Sequence, residues 1–221
     1  MVMGLLNRKK KQKNSMFLYS EEALNQYEEY IMEQFGEYES VFHELVSLDI
    51  HLDILIIPPT EEHNYYQLIT MGMGAYSMNT PRELKDQELE RAELVLCLPP
   101  NWNIQSSKEE DYWPIRQLKS IARLPIYNDT WLGYGHTISS DEDNSPYASD
   151  TKFCSMLLVD VNKDRDLRID GMGKINFYQL FPLYKEELEY KFHHDADSLL
   201  ERFDEEALSG VIDNQRKNFG I

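Results

Sequence analysis

The sequence predicts an α+β fold, a mixed and largely antiparallel sheet flanked by helices. A β-branched run over residues 50–57 and an apolar run over 93–98 are each stopped by a Pro-Pro pair, as strands entering tight turns would be. The connection between the first run and the next is short and holds Pro58, Pro59 and Asn64, which suits an antiparallel pair. Helical periods are scattered among the strands, without the strict alternation of a doubly wound parallel sheet. At 221 residues, 42% hydrophobic and 28% charged, the chain suits one globular domain. A domain of that size buries about 70% of its unfolded surface and needs no staples.

The elements follow in order. Residues 1–14 carry five basic residues and no acidic one, and are expected to be a flexible tail ahead of a single domain over 15–221. Ser20 can cap a helix that opens on Glu21 and Glu22, whose charges suit its positive end. Leu24, Tyr27, Ile31 and Phe35 recur at helical spacing, and Gly36 ends the helix. Strands are expected over 50–57, 65–71 and 93–98. Pro114 suits the first turn of a helix with Ile115, Leu118, Ile121 and Ala122 inward, ending before Pro125. Residues 139–150 form a polar, acidic loop. Strands are expected again over 153–161 and 174–181. Pro182 opens a helix over 183–192, a short helix covers 195–203, and Val211-Ile212 form a last strand.

Composition limits the partners. Lys and Arg number 22 against 39 Asp and Glu, a net charge of −17, which repels nucleic acid and anionic membrane and favours a cationic partner. No apolar run approaches the roughly 18 residues of a membrane span. Cys97 and Cys154 sit in apolar runs and read as buried, reduced thiols, which fits a cytoplasmic address.

Chemistry is sparse. His51 and Asp53, two apart on one strand, share a face and could form a base with its orienter, half of a metal site, or simply a structural pair at a sheet edge. The Thr70-Met-Gly72-Met73-Gly74 run follows a strand as a phosphate loop would. However, Ser77 stands where the last glycine of that pattern belongs, so a glycine-permitted turn over packed methionines is expected. The run from Asp160 to Gly171 imitates a calcium loop, but it holds Arg165 where the sharp turn needs glycine and Gly171 where a bidentate Glu belongs. No cofactor, metal or catalytic residue is assigned.

Several of these segments together resemble the suppressor-of-fused domain family. They are His51-Leu-Asp53-Ile-Leu-Ile-Ile-Pro58-Pro59, Tyr66-Gln-Leu-Ile-Thr70-Met71-Gly72-Met73 and Glu93-Leu-Val-Leu-Cys-Leu-Pro99-Pro-Asn-Trp102, then Phe181-Pro182-Leu183-Tyr184-Lys-Glu186-Glu187-Leu188. The likeness runs through about residues 43–218 in order, to Val211-Ile212-Asp213 and Arg216. It implies a domain without known catalysis that works by binding proteins. In animals the domain is the N-terminal half of a Hedgehog-pathway regulator that sequesters transcription factors. This chain stops where the second half of that clamp would begin. Short bacterial members are similar to immunity proteins of polymorphic toxin systems, which bind and block a toxin, often a nuclease.

The leading expectation is therefore a non-enzymatic immunity protein or antitoxin with a cognate toxin as its protein partner. The alternatives are a regulatory interaction scaffold, or a metal or acid/base enzyme using His51 and Asp53. The acidic loop residues Asp141, Glu142, Asp143 and Asn144 are the candidate contacts, and Asp143 falls where the resemblance puts a partner-binding acidic residue. His51, Asp53, Pro59, Thr70, Gly72, Met73, Trp102, Pro182, Tyr184 and Glu187 match the family pattern and read as architecture.

Overall fold

A computed structural model describes residues 16–47, 49–161 and 163–220. The basic segment 1–14, and Asn162 of the calcium-loop imitation, lie outside the described residues.

Helix α1 spans Glu21–Gln34. Its cap is Ser20, whose hydroxyl accepts the Ala23 amide. The strands are β1 (Ser40–Phe42), β2 (Asp53–Ile57), β3 (Tyr66–Met71) and β4 (Ala92–Leu98). Two short 3-10 turns, Met73–Ala75 and Arg82–Gln87, separate β3 from β4. Helix α2 covers Glu109–Asn128 and is followed by β5 (Thr137–Ser139), β6 (Ser155–Asp160), β7 (Leu167–Ile169) and β8 (Gly173–Leu183). Helices α3 (Lys185–His193) and α4 (Ala196–Glu205) follow. The strand order is β1-β2-β3-β4-β8-β6-β5, with β7 paired to β8. Every pairing is antiparallel except that of β4 with β8.

Period-two alternation divides the core. Ile54, Ile56, Leu68, Leu94, Leu96, Met156 and Leu158 face α2, which contributes Trp113, Ile115, Leu118 and Ile121. Leu55, Ile57, Ile69 and Val95 point the other way, onto Tyr27, Tyr30 and Ile31 of α1 and Phe35, its C-cap. Farther along that second face, Leu157 and Phe181 pack on Leu188 of α3 and Leu199 and Phe203 of α4. The sheet is thus a middle layer covered on both faces.

Prolines account for three departures from expectation. Pro182 does not open a helix; it lies inside β8, opposite Met156. The Leu183 carbonyl accepts from Cys154 on the β6 side, so Pro182 faces the opposite way, where β4 has already ended its pairing at Gln179. A missing N–H costs no ladder bond there. Pro114 and Pro125 both sit inside α2, which starts at Glu109 and runs past Pro125. Each omits one helical hydrogen bond. The fully buried Trp113, Ile115 and Leu118, worth roughly 1.5–3 kcal/mol apiece, hold the helix together.

Other boundaries also differ. The strand expected from residue 50 begins at Asp53, so His51 precedes the strand instead of lying on it; Ile50 makes only an isolated bridge to Phe17. Val211 likewise forms a single bridge to Cys97. The calcium-loop imitation runs from the end of β6 through a bend into β7: Asp160 closes β6, Asp166 lies 3.2 Å from Lys174, and Leu167 already pairs with Ile175 of β8.

Candidate functional site

Three polar constructions and one acidic loop account for the residues singled out above. The first is built where β3 and β4 splay apart. Their ladder ends at Ile69 and Val95. Beyond it the Thr70 hydroxyl replaces the next backbone partner, accepting the Leu94 amide at 2.8 Å and donating to Glu93 Oε2 at 2.6 Å. The Gly72 and Gly74 amides and the Tyr19 hydroxyl all donate to Glu93 Oε1, at 2.9, 2.9 and 2.6 Å. The glycine run that imitates a phosphate loop is therefore an anion cradle filled by the protein's own carboxylate. Met73 packs beneath the turn, 2% exposed.

Glu93 is completely buried. Burial pushes its carboxyl up to about 7, against the pull of its four donors. Gly72 makes the cradle possible: its φ is +124°, and a Cβ there would overlap the His51 carbonyl oxygen. Gly72→Ala should therefore cost about 3 kcal/mol or more, read as a lowered urea midpoint with an unchanged slope.

The second construction ties the β1–β2 connection. Asp53, nearly buried, accepts the Glu44 amide at 2.9 Å and His43 Nδ1 at 3.0 Å, with His51 Nε2 at 3.5 Å. Glu44 pairs with Arg123 of α2, and Asp49 lies 3.2 Å from the same guanidinium. Ser47 Oγ lies 3.0 Å from His51 Nδ1, giving an outline of Ser, His and Asp in series. The Ser47 hydroxyl, however, donates to Glu44 at 2.6 Å, so its proton is held by a carboxylate and not drawn off by an imidazole. His51 and Asp53 are thus brought together as part of a loop closure.

The third fastens the C-terminal segment. Arg216 and Glu187 form a bidentate pair, both bonds 2.6 Å, with side chains 4% and 0% exposed. Glu187 also accepts the Tyr184 and Phe219 amides. Arg216 donates to the Pro182 carbonyl, and its backbone carbonyl accepts the Tyr184 hydroxyl. Trp102 donates from its indole to the Asp111 carbonyl and meets Trp113 edge to face. Pro59 is half-buried after β2.

The loop after β5 differs from all of these. Asp141, Glu142 and Asp143 are exposed, and Asn144 is half-buried with φ +55°. The Asp141 carboxylate accepts the Asp143 and Ser145 amides, both at 3.0 Å. These bonds, led by Ser145, hold its carboxyl below the usual range and fix the turn. β5 is the terminal strand of the sheet, so its outer edge has no strand partner among the described residues.

Sequence reasoning missed Glu93 as a site residue. The available signal was a carboxylate at the head of an apolar strand, the next strand after a Gly-x-Gly turn. Tyr19, 74 positions away, gave no such signal.

The fold is similar to solved structures. A suppressor-of-fused homologue from Neisseria gonorrhoeae superposes with a TM-score of 0.60 at 16% identity, over 90% of this chain and 96% of that one. The Sufu–Fu complex gives 0.57 at 14% identity, covering 88% and 89%. Drosophila Suppressor of Fused gives 0.51 at 15% identity, over 75% of this chain and 42% of that one. A search of curated proteins returns no match. The model of the suppressor of fused protein family matches residues 49–217, a stretch that includes Glu93, Asp53 and the Glu187–Arg216 pair but not Tyr19, His43, Glu44 or Ser47. On that match the chain belongs to the suppressor of fused protein family.

Proposed function

We propose that this chain is a cytoplasmic immunity protein that neutralises a basic cognate toxin, such as a nuclease, by stoichiometric binding and without catalysis of its own. The observation that carries the reading is the turn at Asp141–Asn144, which presents three exposed acidic residues from a fixed backbone beside a strand edge that no strand pairs with among the described residues. The net charge of −17 supports it, since a protein that grips phosphates is basic and would be steered to such a surface. The polar groups of the Asp53 cluster are spent on closing a loop, which supports binding over turnover.

Co-expression with the neighbouring open reading frame tests the role. Rescue of growth is expected; no rescue, together with capture of a regulator in a pull-down, favours the second reading. That reading is a regulatory scaffold, and it draws on the relative solved as the Sufu–Fu complex.

Charge reversal at the loop makes a narrower prediction. The Glu142→Lys/Asp143→Lys pair should slow association with the toxin by about tenfold at low salt and leave thermal stability unchanged. Association of the unmodified chain should fall steeply as salt rises through about 0.15 M. A salt-independent association rate, measured by stopped flow, would remove the electrostatic part of the proposal.

A further inference from the structure

A cleft of about 530 Å³ lies on the sheet beside the β7–β8 hairpin, with Trp131 and Tyr134 among its walls. Asp160 and Tyr178 line it and are register partners across the β6–β8 ladder. The cations in the walls are engaged: Lys174 lies 3.2 Å from Asp166, Arg165 pairs with Glu33, and Lys163 donates to the Gln34 carbonyl at 2.8 Å. Two polar groups are not engaged. Tyr178 is 1% exposed, yet its hydroxyl makes no hydrogen bond among the described residues. The Asp160 carboxylate has no ion-pair or hydrogen-bond partner among them either. Asp160 is exposed at the end of β6, and partial desolvation there raises its carboxyl above its ordinary range, with Lys174 pulling the other way. Tyr134, in the wall, donates its hydroxyl to Asp197 outside the cleft.

A carboxylate and a hydroxyl without partners among the described residues, with two aromatic side chains around the same cavity, are features that recognise a cation. A planar guanidinium satisfies both acceptors and lies flat on a ring, whereas an ammonium offers only a point charge. We propose that this cleft receives one arginine side chain of a bound polypeptide, its guanidinium paired with Asp160, donating to the Tyr178 hydroxyl oxygen and laid against Trp131 or Tyr134. The proposal rests on the immunity reading only for the source of that arginine. It adds a point of attachment away from the acidic turn.

The test titrates the full, isotope-labelled chain with acetyl-Gly-Arg-Gly-amide and with its lysine and citrulline counterparts, followed by NMR. Saturable shifts of the Trp131 indole and the Asp160 amide are expected, with a dissociation constant on the order of 1 mM. Asp160→Asn should weaken binding about tenfold, and Tyr178→Phe severalfold. The citrulline peptide should produce no saturable shift. Both substitutions keep the shape of the side chain, and Tyr178→Phe decides the matter if Asp160→Asn does not fold. Equal response to citrulline, a lysine peptide that binds as tightly as arginine, or unchanged binding in the variants overturns the proposal. Growth rescue by a chain that ignores the arginine peptide would overturn the cleft and leave the immunity role. Binding of the peptide by a chain that rescues nothing would do the reverse.

Discussion

Glu93→Ala should remove on the order of 3–5 kcal/mol of stability, a large share of the 5–15 kcal/mol of a typical domain. The substitution leaves the Tyr19 and Thr70 hydroxyls and the Gly72 and Gly74 amides without their acceptor. Each buried donor left unpaired costs about 1–3 kcal/mol, and relief of the buried charge returns part of the total. Glu93→Gln keeps an acceptor toward Tyr19 and the glycine amides, and its amide can donate to the Thr70 oxygen. It should lie within about 1.5 kcal/mol of the native protein at neutral pH.

The pair also separates a pH effect. The folded carboxyl, at about 7, lies above its ordinary value of 4.5, so the folded state holds the proton more tightly than the unfolded chain does. Its stabilising contribution is complete below the unfolded value and is lost as pH rises through the folded one. Between those values stability should fall by as much as 1.4 kcal/mol per pH unit, about 3 kcal/mol in all. Urea unfolding of the native chain and of Glu93→Gln at pH 5, 6, 7 and 8 isolates this contribution as the difference between the two curves. Parallel curves would mean that the four donors keep the carboxylate ionised throughout.

Arg216→Ala should cost about 3–5 kcal/mol, because it strands the Glu187 carboxylate at 0% exposure. The two amides from Tyr184 and Phe219 remain, but no cation does. For a chain of this size the loss corresponds to a melting temperature lower by about 10 °C or more. Limited proteolysis should then cut first near residues 210–220, since Arg216 links that segment to β8 and α3. Arg216→Lys should fare little better, because one ammonium cannot serve both carboxylate oxygens and the Pro182 carbonyl. The double change Glu187→Leu/Arg216→Met should recover much of the loss, as buried pairs replaced by apolar side chains often do. If the double variant is no more stable than Arg216→Ala, the C-terminal segment depends on the shape of the pair and not on its charge balance.

The two constructions differ in how far local sequence announces them. Glu187 was read as architecture from the family segments and Arg216 was quoted in the resemblance without a role, and their pairing was not legible. Glu93 looked like an ordinary strand residue, and the Gly72–Gly74 turn looked like a rejected phosphate loop. Only the splay of β3 from β4 puts one into the other. The three-residue strands β1, β5 and β7 were missed because a run that short completes hardly more than one period of alternation. The prolines misled for a related reason: a proline reads as a stop, yet whether a missing N–H matters depends on which neighbour it would have faced.

By itself the sequence determined the fold class, the helix capped by Ser20, the main apolar strands, the acidic turn and the excess of negative charge. Those follow from local spacing and from counts, which survive any arrangement in space. The tertiary structure decided where carboxylates and cations meet. It gave Glu93 its four donors, spent the polar groups around Asp53 on closing a loop, and left Asp160 and Tyr178 in a cleft without hydrogen-bond partners among the described residues. The reason is physical: a buried charge is defined by partners brought to within about 3 Å by long-range folding, and those partners stand as far away in the chain as Tyr19 does from Glu93.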